Sequence, residues 1–167
     1  MTLRLKGVIA ALYRRPDDGI RQVFALSRDE AERLPRLPWV AIISIIAPGR
    51  HPANVDGFEH VVRASFADVD FLSPNLSQRA RASLGEAFTV EQAQVIRRFV
   101  ESLPSDVTSV VIHCEGGYSR SCAVALALHR LYGYHVVLRR LAQTNPSVVI
   151  LMMGEGRPQR KTRRGQV

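Results

Sequence analysis

Short apolar runs of strand length alternate along this chain with segments whose apolar residues recur at helical spacing. Residues 40–47, VAIISIIA, are almost continuously apolar and predict a central strand covered on both faces. Residues 107–113 predict a second buried strand around Val110, Val111 and Ile112, and residues 60–67 (HVVRASFA) a third. Residues 3–13 and 20–26 are two further β-like runs. Pro16 and Asp18–Gly19 lie between them and supply turn chemistry, which predicts an N-terminal hairpin extension over residues 1–23.

The helical segments carry their own punctuation. Ser27 precedes RDEAERL as an N-cap, with acids in the first turn, and Pro35 and Pro38 end that helix. Residues 77–84 predict a short helix. Thr89 and Gln92 form a capping box ahead of Val90, Ala93, Ile96, Val100 and Leu103, which share one helical face. Residues 121–132 are rich in alanine and leucine and stop at Gly133, placed as a C-cap. Two short helices, 136–144 and 147–153, flank Asn145–Pro146. This order predicts an α/β single-domain sandwich over residues 1–155, its central sheet of about four to five strands flanked by helices.

Composition changes the picture only at the C-terminus. The length of 167 residues suits one domain, and 46% apolar with 23% charged residues is the balance of a soluble globular protein. No apolar run approaches the ~18 residues of a membrane span, and the N-terminus makes a poor signal peptide. Two cysteines do not make a disulfide framework, so a reducing, cytoplasmic setting is expected. The net charge is +8, and five uncompensated basic residues (Arg157, Arg160, Lys161, Arg163 and Arg164) sit in residues 156–167. The folded body is therefore only mildly basic, and the tail is predicted to be disordered. Nucleic acid is a less favoured partner through that tail.

The chemistry concentrates between the 107–113 strand and the 121–132 helix. A glycine-bent loop there ends at a helix N-terminus, a geometry that turns backbone N–H groups toward an anion. Glu115, Gly116, Gly117, Tyr118 and Ser119 would supply the amides, and Arg120 a bidentate fork for two phosphate oxygens. The same positive surroundings favour a thiolate at Cys114, hence a nucleophile. Ser121 is placed to donate to that sulfur, and His113 to support the loop by hydrogen bonding. Cys122 is read as a small packed residue. Cys114, Cys122 and His129 lack the usual spacing of zinc ligands.

Residues 113–121, HCEGGYSRS, match the HCxxGxxRS signature and resemble the cysteine-dependent protein tyrosine phosphatase superfamily, the dual-specificity branch in particular. The resemblance covers residues 24–153 and implies a phosphatase-like catalytic domain. The implied chemistry is hydrolysis of phosphate monoesters through a cysteinyl-phosphate intermediate, with no cofactor or metal. Phosphotyrosine or another phosphorylated protein residue is the implied substrate, with a small phosphomonoester as alternative. The family's general acid is an aspartate on a separate loop after an upstream strand. No Trp-Pro-Asp triplet is present, and Asp68, immediately after residues 60–67, takes the role ahead of Asp70. The rival readings are a non-catalytic phosphate-binding module, and an RNA 5′-phosphatase or nucleic-acid-associated protein using the basic tail.

Overall fold

The β-branched runs assemble as predicted into a single sheet, and every neighbouring pair of strands is parallel. In the computed structural model, which describes residues 1–141 and 143–154, the strands are β1 (Gln22–Ser27), β2 (Val40–Ile46), β3 (His60–Ser65) and β4 (Ser109–Cys114). Their spatial order is β1-β4-β2-β3. β4 is wholly buried and β2 almost so, because helices cover both faces of the sheet. The period of two divides each apolar run between two cores. Ala41, Ile43, Ile45, Val110 and Ile112 face one core, with α4 (Val90–Glu101), α5 (Arg120–Tyr132) and α6 (Pro146–Met153). Val40, Ile42 and Val111 face the other, with α1 (Leu3–Tyr13) and Leu34, while α2 (Arg28–Glu32) packs beside β1 and β4. The fold is α/β, with a central four-stranded parallel sheet flanked by helices.

The expected N-terminal hairpin is not formed. Residues 3–13 are helical, with Leu5, Val8 and Leu12 buried at i, i+3 and i+7. The Leu-Arg-Leu-Lys alternation at the start of that segment imitates a strand, but tertiary packing selects the helical face. Thr2 caps the helix by accepting from Leu5 N–H at 3.0 Å. The turn chemistry at Asp18 is present: Ile20 N–H donates to Asp18 Oδ1 at 2.9 Å. It joins a helix to a strand, and that strand pairs with β4 across the chain.

A second difference follows α5. Gly133 caps the helix at φ +70°, as expected. The chain then runs extended along β1: His135 N–H donates to Arg21 O and Val23 N–H to His135 O, both at 2.9 Å. Where a helix was expected over residues 136–144, the described residues of that segment form a 3₁₀ turn at Leu138–Leu141. The short helix at residues 77–84 appears as α3 (Gln78–Ala82), and both predicted capping boxes or caps at Ser27 and Thr89 are present. The basic segment 156–167, expected to be disordered, lies outside the described residues. No described helix is long and apolar enough to cross a membrane.

Parallel pairing places the C-terminal ends of all four strands along one edge of the sheet. Ser27–Arg28, Ala47, Asp68 and the Cys114 loop all follow strand ends there, the edge where open α/β sheets present their crevices.

α1 and α2 are tied together by a buried carboxylate. Glu30 accepts from the Arg4 guanidinium, from Thr2 Oγ1 at 2.8 Å and from Ser27 N–H at 3.1 Å. Burial alone would raise the Glu30 carboxyl, but these donors, Arg4 foremost, outweigh it and hold its pKa at about 2. A depressed folded-state pKa contributes stability above the unfolded value and loses it as pH falls toward the folded one. Glu30→Gln should therefore cost on the order of 3 kcal/mol at neutral pH. The gap to wild type, measured by chemical denaturation, should close as pH is lowered from 4.5 toward 2.

Candidate active site

Cys114 is the last residue of β4, and its side chain turns inward at the mouth of the loop, only 3% exposed. Its Sγ accepts from Gly117 N–H at 3.2 Å and lies 3.1 Å from Ser121 Oγ in the first turn of α5. The loop can close this tightly because of Gly117, which has φ +78°. A Cβ there would sit 2.6 Å from the Leu26 carbonyl carbon and from Ser27 N, backbone that cannot step aside. The amides of Gly116, Tyr118 and Ser119 donate to no acceptor among the described residues. Of four consecutive loop amides, one is bonded to the sulfur and three are without an acceptor among the described residues.

Arg120 opens α5 and is 7% exposed. Its Nη1 donates to Phe66 O at 2.9 Å, which ties the loop to the chain leaving β3. Its Nε is buried with no partner among the described residues. A buried guanidinium donor left unpaired is costly.

Asp68 meets the same loop. Ser119 Oγ and Asn145 Nδ2 both donate to Asp68 Oδ1 at 2.9 Å, and Asn145 N–H donates to Ser119 O at 3.3 Å. Asp68 is solvent-exposed, and neither bond uses its Oδ2. Asp70 is directed elsewhere, with its Oδ1 accepting from Ser147 Oγ on α6. Of the two aspartates considered from sequence, Asp68 is the one hydrogen-bonded to the Cys114–Arg120 loop.

His113 lies beneath the loop, fully buried. Its Nε2 is 2.6 Å from Ser44 Oγ on β2, and its Nδ1 is 3.3 Å from Cys114 O. Desolvation pushes its pKa below the ordinary histidine value, favouring a neutral ring. The neutral tautomer that fits donates from Nδ1 to Cys114 O and accepts from Ser44 at Nε2. Cys122 donates from Sγ to Gly117 O at 3.3 Å, and burial raises its pKa to about 11, so it stays a thiol. The side chains of Glu115 and Tyr118 turn away from the sulfur. Glu115 pairs with Arg28 at 3.5 Å and Arg50 at 3.6 Å, while Tyr118 is 60% exposed under Arg4. For these two, only the backbone faces the cradle.

Three participants were not singled out from sequence. Ser44 is a lone polar residue in an apolar strand, which signals a buried partner. Asn145–Pro146 is a helix-start signature, yet nothing local indicates that the cap also reaches Asp68. Arg28 holds Glu115 by side chain and by its own N–H, which donates to Glu115 O at 3.2 Å.

No protein-family model matches the chain, and no curated protein matches it significantly. Among solved structures, the chain is similar to Tk-PTP, known from a crystal structure of its active form, with a TM-score of 0.47 and 21% identity. The similarity covers 80% of this chain and 92% of that one.

Two neighbouring glycines allow a local test. Gly117→Ala should destabilise the fold by about 2 kcal/mol or more, because strain and a backbone clash coincide. Gly116→Ala meets only the ring of exposed Tyr118, at 3.0 Å, and should cost clearly less in a thermal melt.

Proposed function

We propose that this protein is a cysteine-dependent phosphatase that hydrolyses phosphate monoesters through a cysteinyl-phosphate intermediate. The observation that carries this reading is the buried, unpartnered Nε of Arg120, on the same loop as Cys114 and its unpaired amides. A phosphoryl group seated there would meet preorganised donors on its equatorial oxygens, which is what phosphoryl transfer requires. The amides of Glu115 through Ser119 and the guanidinium of Arg120 hold the oxygens. Cys114 Sγ, as thiolate, attacks phosphorus, and the bond to the ester oxygen breaks.

Asp68 delivers a proton to that leaving oxygen. Its two hydrogen bonds both fall on Oδ1, which leaves Oδ2 to carry the proton. In the second half, the Asp68 carboxylate takes a proton from water, water oxygen bonds to phosphorus, and the phosphorus–sulfur bond breaks. Ser121 Oγ, 3.1 Å from the sulfur, donates to the departing thiolate and completes turnover. This last contact favours an enzyme over a module that merely holds phosphate. His113 positions the loop through Ser44 and Cys114 O.

By its sequence signature the enzyme belongs to the tyrosine and dual-specificity class, and the substrate is phosphotyrosine or another phosphorylated protein residue. A thiolate nucleophile is preserved in a reducing compartment, so the setting this reading implies is the cytoplasm.

Cys114→Ser should lower hydrolysis of an aryl phosphate by more than about a thousandfold. The variant should still bind inorganic phosphate; wild-type turnover in it would refute the mechanism. Asp68→Asn should slow phenyl phosphate by about a hundredfold or more, and a substrate with an activated leaving group far less. If Asp70→Asn shows that leaving-group dependence instead, the acid is misassigned.

A further inference from the structure

Beside Asp68 a cleft opens between the acid loop and α3. It is lined by Ala67, Asp68, Ser77, Arg79 and Ser83, with Arg120 at its inner end. Its walls are small residues, so there is room beside the phosphate cradle. Arg79 is exposed and has no ion-pair or hydrogen-bond partner among the described residues. α3 carries Arg79 and Arg81 and no acidic residue. The opposite flank differs. There a second depression is lined by Thr2, Arg4, Asp29, Glu30 and Tyr118, and its one cation, Arg4, is already engaged by Glu30. Of these two depressions, only the one beside Asp68 carries an arginine without an ion-pair partner among the described residues.

We infer that this cleft is a subsite for a second anionic group on the substrate, with Arg79 as the specificity-determining residue. The inference rests on the phosphatase reading and deepens it. A phosphoryl group held by Arg120 and the loop amides places its leaving group next to Asp68. The remainder of the substrate then emerges into the cleft, toward Arg79. A carboxylate or second phosphate adjacent to the scissile ester would pair with the guanidinium, and the hydroxyls of Ser77 and Ser83 lie along the same wall. On the other flank Asp29 and Glu30 are already paired with Arg33 and Arg4, so that depression offers the same group no free cation among the described residues. The loop interior contains no lysine or arginine before Arg120, so selection for a second charge falls to α3. Two sources share this chemistry: an acidic residue beside a phosphorylated protein side chain, and a small bisphosphate.

The test compares kcat/KM within two matched pairs. One pair is a phosphotyrosyl peptide with flanking Asp or Glu and the same peptide with Asn or Gln. The other is a vicinal diol bisphosphate and its monophosphate. Wild type should favour the doubly anionic member of at least one pair by about fivefold, the scale of an exposed ion pair. The preference should lie in KM and shrink as salt rises. Arg79→Ala should bring the ratio to near one, Arg79→Lys should recover part of it, and Arg79→Glu should invert it. Preference confined to the peptide pair assigns the subsite to proteins, and preference confined to the other pair assigns it to small bisphosphates. A ratio near one for both pairs in wild type, or an unchanged ratio in Arg79→Ala, overturns the subsite. Failure of wild type to hydrolyse any of the four compounds would instead overturn the phosphatase reading. Equilibrium binding of the same pairs to Cys114→Ser then judges the subsite separately: tighter binding of the doubly anionic member supports it, and equal binding overturns it.

Discussion

The close approach of Gly117 to the end of β1 is the constraint on which the site depends. Only a residue without a Cβ can lie against the Leu26–Ser27 peptide at φ +78°. Once there, its N–H reaches Cys114 Sγ and its carbonyl accepts from Cys122 Sγ. The backbone of Gly117 thus stands between two cysteines with different surroundings. Cys114 faces the loop amides, while burial keeps Cys122 a thiol that serves the backbone. The neighbouring amides of Gly116, Tyr118 and Ser119 are left without acceptors among the described residues.

That loop is held from several sides, each through a strand end. β1 supplies Ser27 and Arg28, and Arg28 grips Glu115 by both N–H and guanidinium. β2 supplies Ser44, which orients His113. The chain leaving β3 supplies Phe66 O to Arg120, and Asp68 to Ser119. All of this converges because the strands are parallel and their C-terminal ends share one edge. The proposed acid and the proposed nucleophile, 46 residues apart in sequence, are joined by hydrogen bonds rather than by a connecting element. Asn145 extends the link to α6, so the cap of one helix doubles as a brace for the Asp68 loop.

Much of the fold was legible because local and global preferences agree. β2 and β4 read as buried strands since their apolar runs have no polar face, and they lie in the interior of the sheet. Ser27 and Thr89 announced their helices by capping chemistry that operates within four residues. The reading failed where a segment satisfies two periods at once. In residues 3–13 the alternation of Leu3, Arg4, Leu5 and Lys6 suggests a strand, while Leu5, Val8 and Leu12 line a helical face. In residues 136–144 the helix yields to a bridge between His135 and β1, a long-range contact with no local signal.

The candidate site divides in the same way. Cys114, Gly116, Gly117, Arg120 and Ser121 are close in sequence, so a strand, a glycine turn and a helix start suffice to predict their grouping. The sequence by itself determined those residue types, their spacing and the two elements that frame them. Only the tertiary structure decided which upstream aspartate hydrogen-bonds to the loop, and that Arg79 stands at its rim without a partner among the described residues. Those outcomes depend on hydrogen bonds across 51 and 77 residues. Their partners are chosen by sheet order and helix packing, which no local stretch of the chain encodes.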